Sequence, residues 1–352
     1  RLRALATPGH TPQHQAYVLF DGERPVAVFT GGSLLYGAVG RTDLVDERLT
    51  ERLTRAQFRS VRRLAEQLPP DLAVYPTHGF GSFCTSTPGT DVDASTIGDE
   101  RRANPALTTA DENAFVTELT SGLGAYPRYY AHMAPINRAG PAPLDLSPPR
   151  TLTPGALRQR IDAGEWVIDV RKRTAFAADH LAGTVNIELG RQLATYLGWT
   201  VPWGTPITLV GDTVAQVARA QRMVARIGID RPAGQATGGP ATFAAGGAVR
   251  SYEVGDFAAL AEALGDGAVQ VLDVRRDEEF HDGHVRGARH IPLADLEARL
   301  AEVPDDVTSW VHCATGYRAA IAASLLDRAG KPVVLVDDDW DVAADAGVTT
   351  TS

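Results

Sequence analysis

One pattern that occurs twice constrains this chain more than any other feature. Trp166-Val167-Ile168-Asp169-Val170-Arg171, followed by Phe176, His180, Gly183 and Ile187, returns as Val271-Leu272-Asp273-Val274-Arg275, followed by Phe280, His284, Gly287 and Ile291. Asp273, His284 and Gly287 each lie 104 residues after Asp169, His180 and Gly183. A spacing kept across three separate residues marks a duplicated structural unit. Each copy opens with a helical stretch (residues 154–163 and 256–264), then a short apolar strand that ends in Asp-Val-Arg, then a loop with His and Gly. A second apolar strand (207–210 and 309–311) and a helix follow. The third strand is clear only at residues 332–336. Strands alternating with helices predict α/β modules, each with a central parallel sheet covered on both faces.

With 352 residues, 44% hydrophobic and 22% charged, the chain is too long for one ordinary core and long enough for two or three domains. A Pro-rich run over residues 140–150 reads as a linker, and a second hinge is expected near residues 246–251. No window carries the roughly 18 uninterrupted apolar residues of a bilayer span, so no membrane partner is expected. Lys and Arg number 34 against 43 Asp and Glu, and a net charge of −9 repels phosphate backbones, so nucleic acid is not an expected partner. Two cysteines, Cys84 and Cys313, are too few for a disulfide scaffold, which points to a reducing cytoplasm. A homo-oligomer is compatible with all of this.

Cys313 directly follows the apolar pair Trp310-Val311 and its His312, and opens Cys313-Ala314-Thr315-Gly316-Tyr317-Arg318, which runs into a helix expected over residues 319–328. A strand-to-helix loop of this kind surrounds its first side chain with backbone N–H groups and a helix N-terminus, both of which favour an anion. A thiolate there is a nucleophile, and Arg318 is expected to neutralise an anionic donor or product. Gly316 lets the backbone turn inward. Cys84, which has no such loop, reads as a buried structural cysteine.

Asp273-Val274-Arg275 with Glu279-Phe280, Gly283-His284 with Gly287, and Cys313 to Arg318 together resemble the rhodanese (sulfurtransferase) domain over residues 252–352. The resemblance implies that Cys313 takes up a sulfane sulfur as a persulfide, with Ala314, Thr315, Gly316, Tyr317 and Arg318 forming the loop that holds it. It also implies sulfur in place of phosphate, since the related phosphatases have a loop one residue longer. Asp337-Asp338-Asp339 departs from the glycines usual before Trp340 and is expected to affect local geometry only. Aligned on the second strands, Gly211 falls opposite Cys313, so residues 150–248 resemble a rhodanese domain without a nucleophile. A scaffold or docking role is expected there. His180 and His284, equally spaced in both copies, are expected to be structural.

Residues 1–140 carry Gly9-His10, a second histidine at His14, Gly31-Gly32-Ser33-Leu34-Leu35, Arg41-Thr42-Asp43 and Thr77-His78-Gly79. In this order they resemble the C-terminal part of the metallo-β-lactamase αββα fold, in particular its persulfide dioxygenase and glyoxalase-II-like branch. His10 and His78 then fall on metal-ligand positions, Gly32 takes the place of the bridging aspartate, and Arg41 and Asp43 either border a thiol pocket or form a surface ion pair. Two ligands are too few for a catalytic zinc or iron site. Weak or no metal binding is therefore expected, with iron or zinc left open for a longer natural protein that supplies upstream ligands.

The expected architecture is a partial metallo-β-lactamase-like domain followed by two rhodanese-like domains, the second active. The expected function is sulfur transfer from thiosulfate or a low-molecular-weight persulfide, through Cys313, to a thiol acceptor. The alternatives are a metal-dependent persulfide dioxygenase or glyoxalase-II-like hydrolase in the longer protein, and a non-catalytic protein that binds persulfides or anions.

Overall fold

The computed structural model describes residues 1–77, 93–244, 247–267 and 269–350. The chain forms two compact units, Arg1–Tyr126 and Pro127–Ser352. Among the described residues no helix is long and apolar enough to cross a membrane.

In the first unit, strands β1 (Leu2–Ala6), β2 (Gln15–Asp21), β3 (Arg24–Gly31), β4 (Ala73–Pro76) and β5 (Ser95–Thr96) form one sheet in that order. β3 and β4 are parallel and the other neighbours antiparallel. Alternation along β2 buries Ala16, Val18 and Phe20. They join Phe58, Val61 and Leu64 of the helix Thr50–Gln67 in one core, because positions three and four apart share a helix face. That helix stops where Leu68 turns to an extended φ of −109°, as the residue before a proline must.

The second unit contains both repeats. In the first, β6 (Trp166–Asp169), β7 (His180–Leu181), β8 (Val185–Asn186), β9 (Ile207–Gly211), β10 (Gly234–Thr237) and β11 (Val249–Arg250) occur in chain order. Their parallel sheet has the order β10-β9-β6-β8. The second repeat uses β12 (Glu253–Gly255), β13 (Gln270–Asp273), β14 (His284–Val285), β15 (Arg289–His290), β16 (Ser309–His312), β17 (Val333–Val336) and β18 (Thr349–Thr350). Its parallel sheet has the order β12-β17-β16-β13-β15. Every residue of β6 and β9 is buried, which is why they read as unbroken apolar runs.

Three details differ from the sequence expectation. The third strand of the first repeat exists as β10, although Gly-Gln-Ala-Thr lacks the branched apolar residues that announce a strand. The hinge expected near residues 246–251 is in part strand β11, which pairs with β7. Residues beyond Tyr126, expected in the first domain to residue 140, belong to the second unit: the Arg128 N–H donates to Gly198 O at 3.1 Å, and His132 stacks on Trp203 with ring centres 4.8 Å apart.

The repeats also share a core. One buried cluster takes Ile168, Leu193 and Leu209 from the first and Leu272, Val311 and Leu335 from the second.

Candidate active site

Strand register aligns the repeats independently of their sequences. Asp169 pairs with Val210 across β6 and β9, and Asp273 pairs with His312 across β13 and β16. The next residues, Gly211 and Cys313, are therefore equivalent. Beyond them the loops differ: the helix Tyr317–Arg328 begins four residues after Cys313, and the helix Val214–Val224 begins three after Gly211. The shorter loop is closed by Gln216, whose Oε1 accepts the Asp212 N–H at 2.7 Å.

The Asp-Val-Arg motif is a buried clamp. Arg275 Nε donates to both Asp273 oxygens at 3.0 Å, and its Nη2 donates to Gly283 O at 2.6 Å. Arg171 repeats this on Asp169 and reaches Asp179 O at 2.7 Å. The clamp fixes the chain after the first strand, and so belongs to the fold of both copies.

Cys313 is 1% exposed and opens the loop at the end of β16. Gly316, at φ +77°, caps the following helix without a side-chain bond, so the first-turn N–H groups face the loop without a capping oxygen. Gly316 needs its positive φ, and a Cβ there would stand 1.9 Å from Asp337 Oδ1. The loop is tied to the next segment by Trp340 N–H donating to Ala314 O at 2.8 Å and by a bridge between Thr315 and Asp339. Tyr317 donates its hydroxyl to Glu188 O at 2.6 Å.

Arg318 has a partner that the sequence does not announce. Its Nη1 and Nη2 donate to the two carboxylate oxygens of Glu279, at 2.6 and 2.7 Å, and the guanidinium is largely buried. Burial opposes the charged form of Arg318, yet Glu279 outweighs it and keeps the guanidinium protonated well above its usual range. Burial would likewise raise Glu279, but Arg318 and Arg276 hold its carboxyl down at about 2. Two of the Arg318 N–H groups are thus taken by Glu279, and Cys313 also favours the charged form of the guanidinium. The first repeat has Ala175 104 residues before Glu279, so the carboxylate is missing where the cysteine is missing.

His312 sits behind Cys313, fully buried and stacked on Trp340 with ring centres 5.4 Å apart. Among the described residues no side chain completes a hydrogen bond to the ring, since Asp273 Oδ2 lies 3.4 Å from Nε2 out of line for one, and its polar support besides is the backbone at Cys313. Burial, only partly offset by Asp273, lowers its pKa to about 4, so the ring is neutral near pH 7. His180 and His284 both stack on the phenylalanine four residues before them and place Nδ1 on its carbonyl oxygen. His180 also meets Asp327 of the other repeat at 3.0 Å.

In the first unit, the His10 Nδ1 proton is donated to Arg41 O at 2.8 Å, and His14 Nε2 accepts the Gly32 N–H at 3.1 Å. Burial pushes His10 down and His14 down to about 4. A Cβ on Gly32 would lie 2.3 Å from His10 Cδ2, so the imidazole fills the space a carboxylate would need. Among the described residues no group of three or more His, Cys, Asp or Glu could hold a metal ion. These residues do not fit a metal centre. Arg41 and Asp43 form a buried bidentate pair, at 2.7 and 2.6 Å, rather than a surface one. His78 and Cys84 lie outside the described residues.

Residues 256–345 match the family model of the rhodanese-like domain. Across 67% of this chain and 66% of that one, the fold superimposes with a TM-score of 0.58 on a metallo-β-lactamase from Staphylococcus aureus, at 28% identity. The chain joins metallo-β-lactamase-like and rhodanese-like parts. This fusion is also 33% identical over 111 residues to human mitochondrial persulfide dioxygenase ETHE1, covering 32% of this chain and 37% of that protein. A stretch of 61 residues, 17% of this chain, is 39% identical to the uncharacterized protein YqhL of Bacillus subtilis and covers 48% of it. The chain thus spans less than half the length of either curated relative.

Some of the site was not singled out by sequence reasoning. Glu279 lies within the quoted motif but signalled no role, because its partner is 39 residues away. Arg173 meets Asp337 across 164 residues, and no local pattern announces such a pair.

Proposed function

We propose that the second repeat is a sulfurtransferase in persulfide metabolism, with Cys313 as the nucleophile. The observation that carries the reading is Cys313 at the mouth of an uncapped helix N-terminus, in a loop that Gly316 turns inward. The match to the rhodanese-like domain and the similarity to a persulfide dioxygenase support the same chemistry. The Cys313 thiolate attacks the outer sulfur of thiosulfate, an S–S bond forms, and sulfite leaves with the electron pair of the broken bond. A low-molecular-weight persulfide reacts in the same way and releases its thiolate. An acceptor thiolate then takes the outer sulfur from Cys313 and regenerates the enzyme thiolate.

The chain's own residues divide the remaining work. Backbone N–H groups of the loop and helix stabilise the terminal sulfur anion. Glu279 keeps Arg318 fixed at the loop's end, so that the guanidinium contributes a constant field. No step is assigned to the first unit, where His10 occupies the space of a metal-binding carboxylate.

Peptide mass spectrometry after brief exposure to thiosulfate, and separately to a thiol persulfide, followed by cyanide, tests this. One added sulfur on Cys313, removed by cyanide and absent from Cys313→Ser, is the expected result. No adduct from either donor would leave an anion-binding protein in place of an enzyme.

A further inference from the structure

Residues of the repeat without a cysteine reach into the loop of the repeat that has one. Tyr317 gives its hydroxyl to the Glu188 carbonyl at 2.6 Å, and its ring lies 5.4 Å from that of Tyr196. More consequential is Asp337, whose carboxylate oxygen lies where a Cβ on Gly316 would be, 1.9 Å from it. A carboxylate against a loop built to hold an anion opposes that loop's purpose unless a cation offsets it. Arg318 is already paired with Glu279 through Nη1 and Nη2. The cation that bonds Asp337 directly is Arg173, whose Nε donates to Asp337 Oδ1 at 2.7 Å while Nη1 donates to Glu188 at 2.9 Å. Arg173 and Asp337 are mostly buried, at 27% and 14% side-chain exposure, so solvent screens the pair only in part.

We propose that Arg173 is a positioning residue for sulfur transfer at Cys313, acting through Asp337 to keep an uncompensated carboxylate from facing the persulfide loop. The proposal rests on the reading of Cys313 as the persulfide-forming nucleophile. It gives the cysteine-free repeat a direct part in the chemistry of the other.

The test compares four full-length proteins: wild type, Arg173→Lys, Arg173→Ala, and Arg173→Ala combined with Asp337→Asn. The readout is the second-order rate constant for sulfite release from thiosulfate in a single turnover. Arg173→Ala is expected to lose about tenfold, the effect of one charged hydrogen bond on a transition state, and Arg173→Lys to recover most of it. The double variant separates charge from simple attachment. If Arg173 works by neutralising Asp337, removing the carboxylate restores the rate to within a few-fold of wild type. A double variant no faster than Arg173→Ala, or an Arg173→Ala rate within twofold of wild type, would overturn the proposal. A wild type that releases no sulfite and acquires no persulfide would instead overturn the reading of Cys313, and the proposal with it.

Discussion

Glu279→Gln isolates the ion pair that holds the end of the Cys313 loop. In the folded protein the Glu279 carboxyl titrates at about 2, against an ordinary 4.5, and its side chain is 21% exposed. At about 1.36 kcal/mol per pH unit, that displacement corresponds to about 3 kcal/mol of stability. The figure agrees with the roughly 3–5 kcal/mol lost when one partner of a buried pair is removed. Because the folded value is depressed, the contribution is complete above pH 4.5 and disappears as the pH falls through 2. At pH 3 roughly half of it remains. All five tryptophans, Trp166, Trp199, Trp203, Trp310 and Trp340, lie in the second unit, so urea unfolding followed by tryptophan fluorescence reports on that unit. The expected difference between wild type and variant is about 3 kcal/mol at pH 7, narrowing towards pH 3. A difference below about 1 kcal/mol at pH 7, or one that does not narrow on acidification, would refute the view that Arg318 is committed to Glu279.

His312→Phe removes a buried ring that no side chain hydrogen-bonds, and should change stability at pH 7 by less than about 1 kcal/mol. Since the folded His312 titrates near 4, wild type should lose about 3 kcal/mol as pH falls from 6.5 to 4, and the variant should lose correspondingly less in the same titration. Gly316→Ala places a side chain at positive φ and against Asp337, and should cost about 1–3 kcal/mol and most of the sulfite release. Gly32→Asp should not create a metal site, because its Cβ meets His10; iron and zinc in the dialysed variant should stay well below one per chain, as in wild type. His180→Ala should cost about 1–3 kcal/mol by removing one of the two partners of buried Asp327, which keeps Arg250, and the less buried His284 distinctly less, with the rate per folded molecule kept in both. Loss of turnover without loss of stability in His284→Ala would make that ring catalytic.

Patterns carried on one strand or one helix were legible in the sequence, and pairings across long stretches of chain were not. The repeat placed Gly211 opposite Cys313, and the register of β6 with β9 and β13 with β16 puts them there. Pro69 and Pro70 end the helix Thr50–Gln67 at Leu68, as a local steric rule requires. Strand β10 escaped notice because its burial comes from its neighbours and not from its own residue types. Arg318 was visible as a loop arginine, but its charge looked available. Only the return of Glu279 from an earlier helix shows that it is paired.

The same distinction explains what the cysteine-free repeat contributes. Its loop has Gly211 where the other has Cys313 and is one residue shorter, and its counterpart of Glu279 is Ala175. What it retains faces the other repeat. His180 and Arg250 both meet the buried carboxylate of Asp327, on the helix that Cys313's loop feeds. Asn186 bonds to that helix as well, its backbone N–H donating to Ser324 Oγ at 3.0 Å. Glu188 and Arg173 then hold the front of the same helix and the Asp337 segment beside it. The helix that follows Cys313 is therefore gripped along its length, from Tyr317 to Asp327, by polar groups of the repeat that has Gly211 in place of the cysteine. A helix whose N-terminus must present a fixed array of N–H groups to a developing sulfur anion gains from such support, since stabilisation of this kind depends on dipoles that need not reorganise.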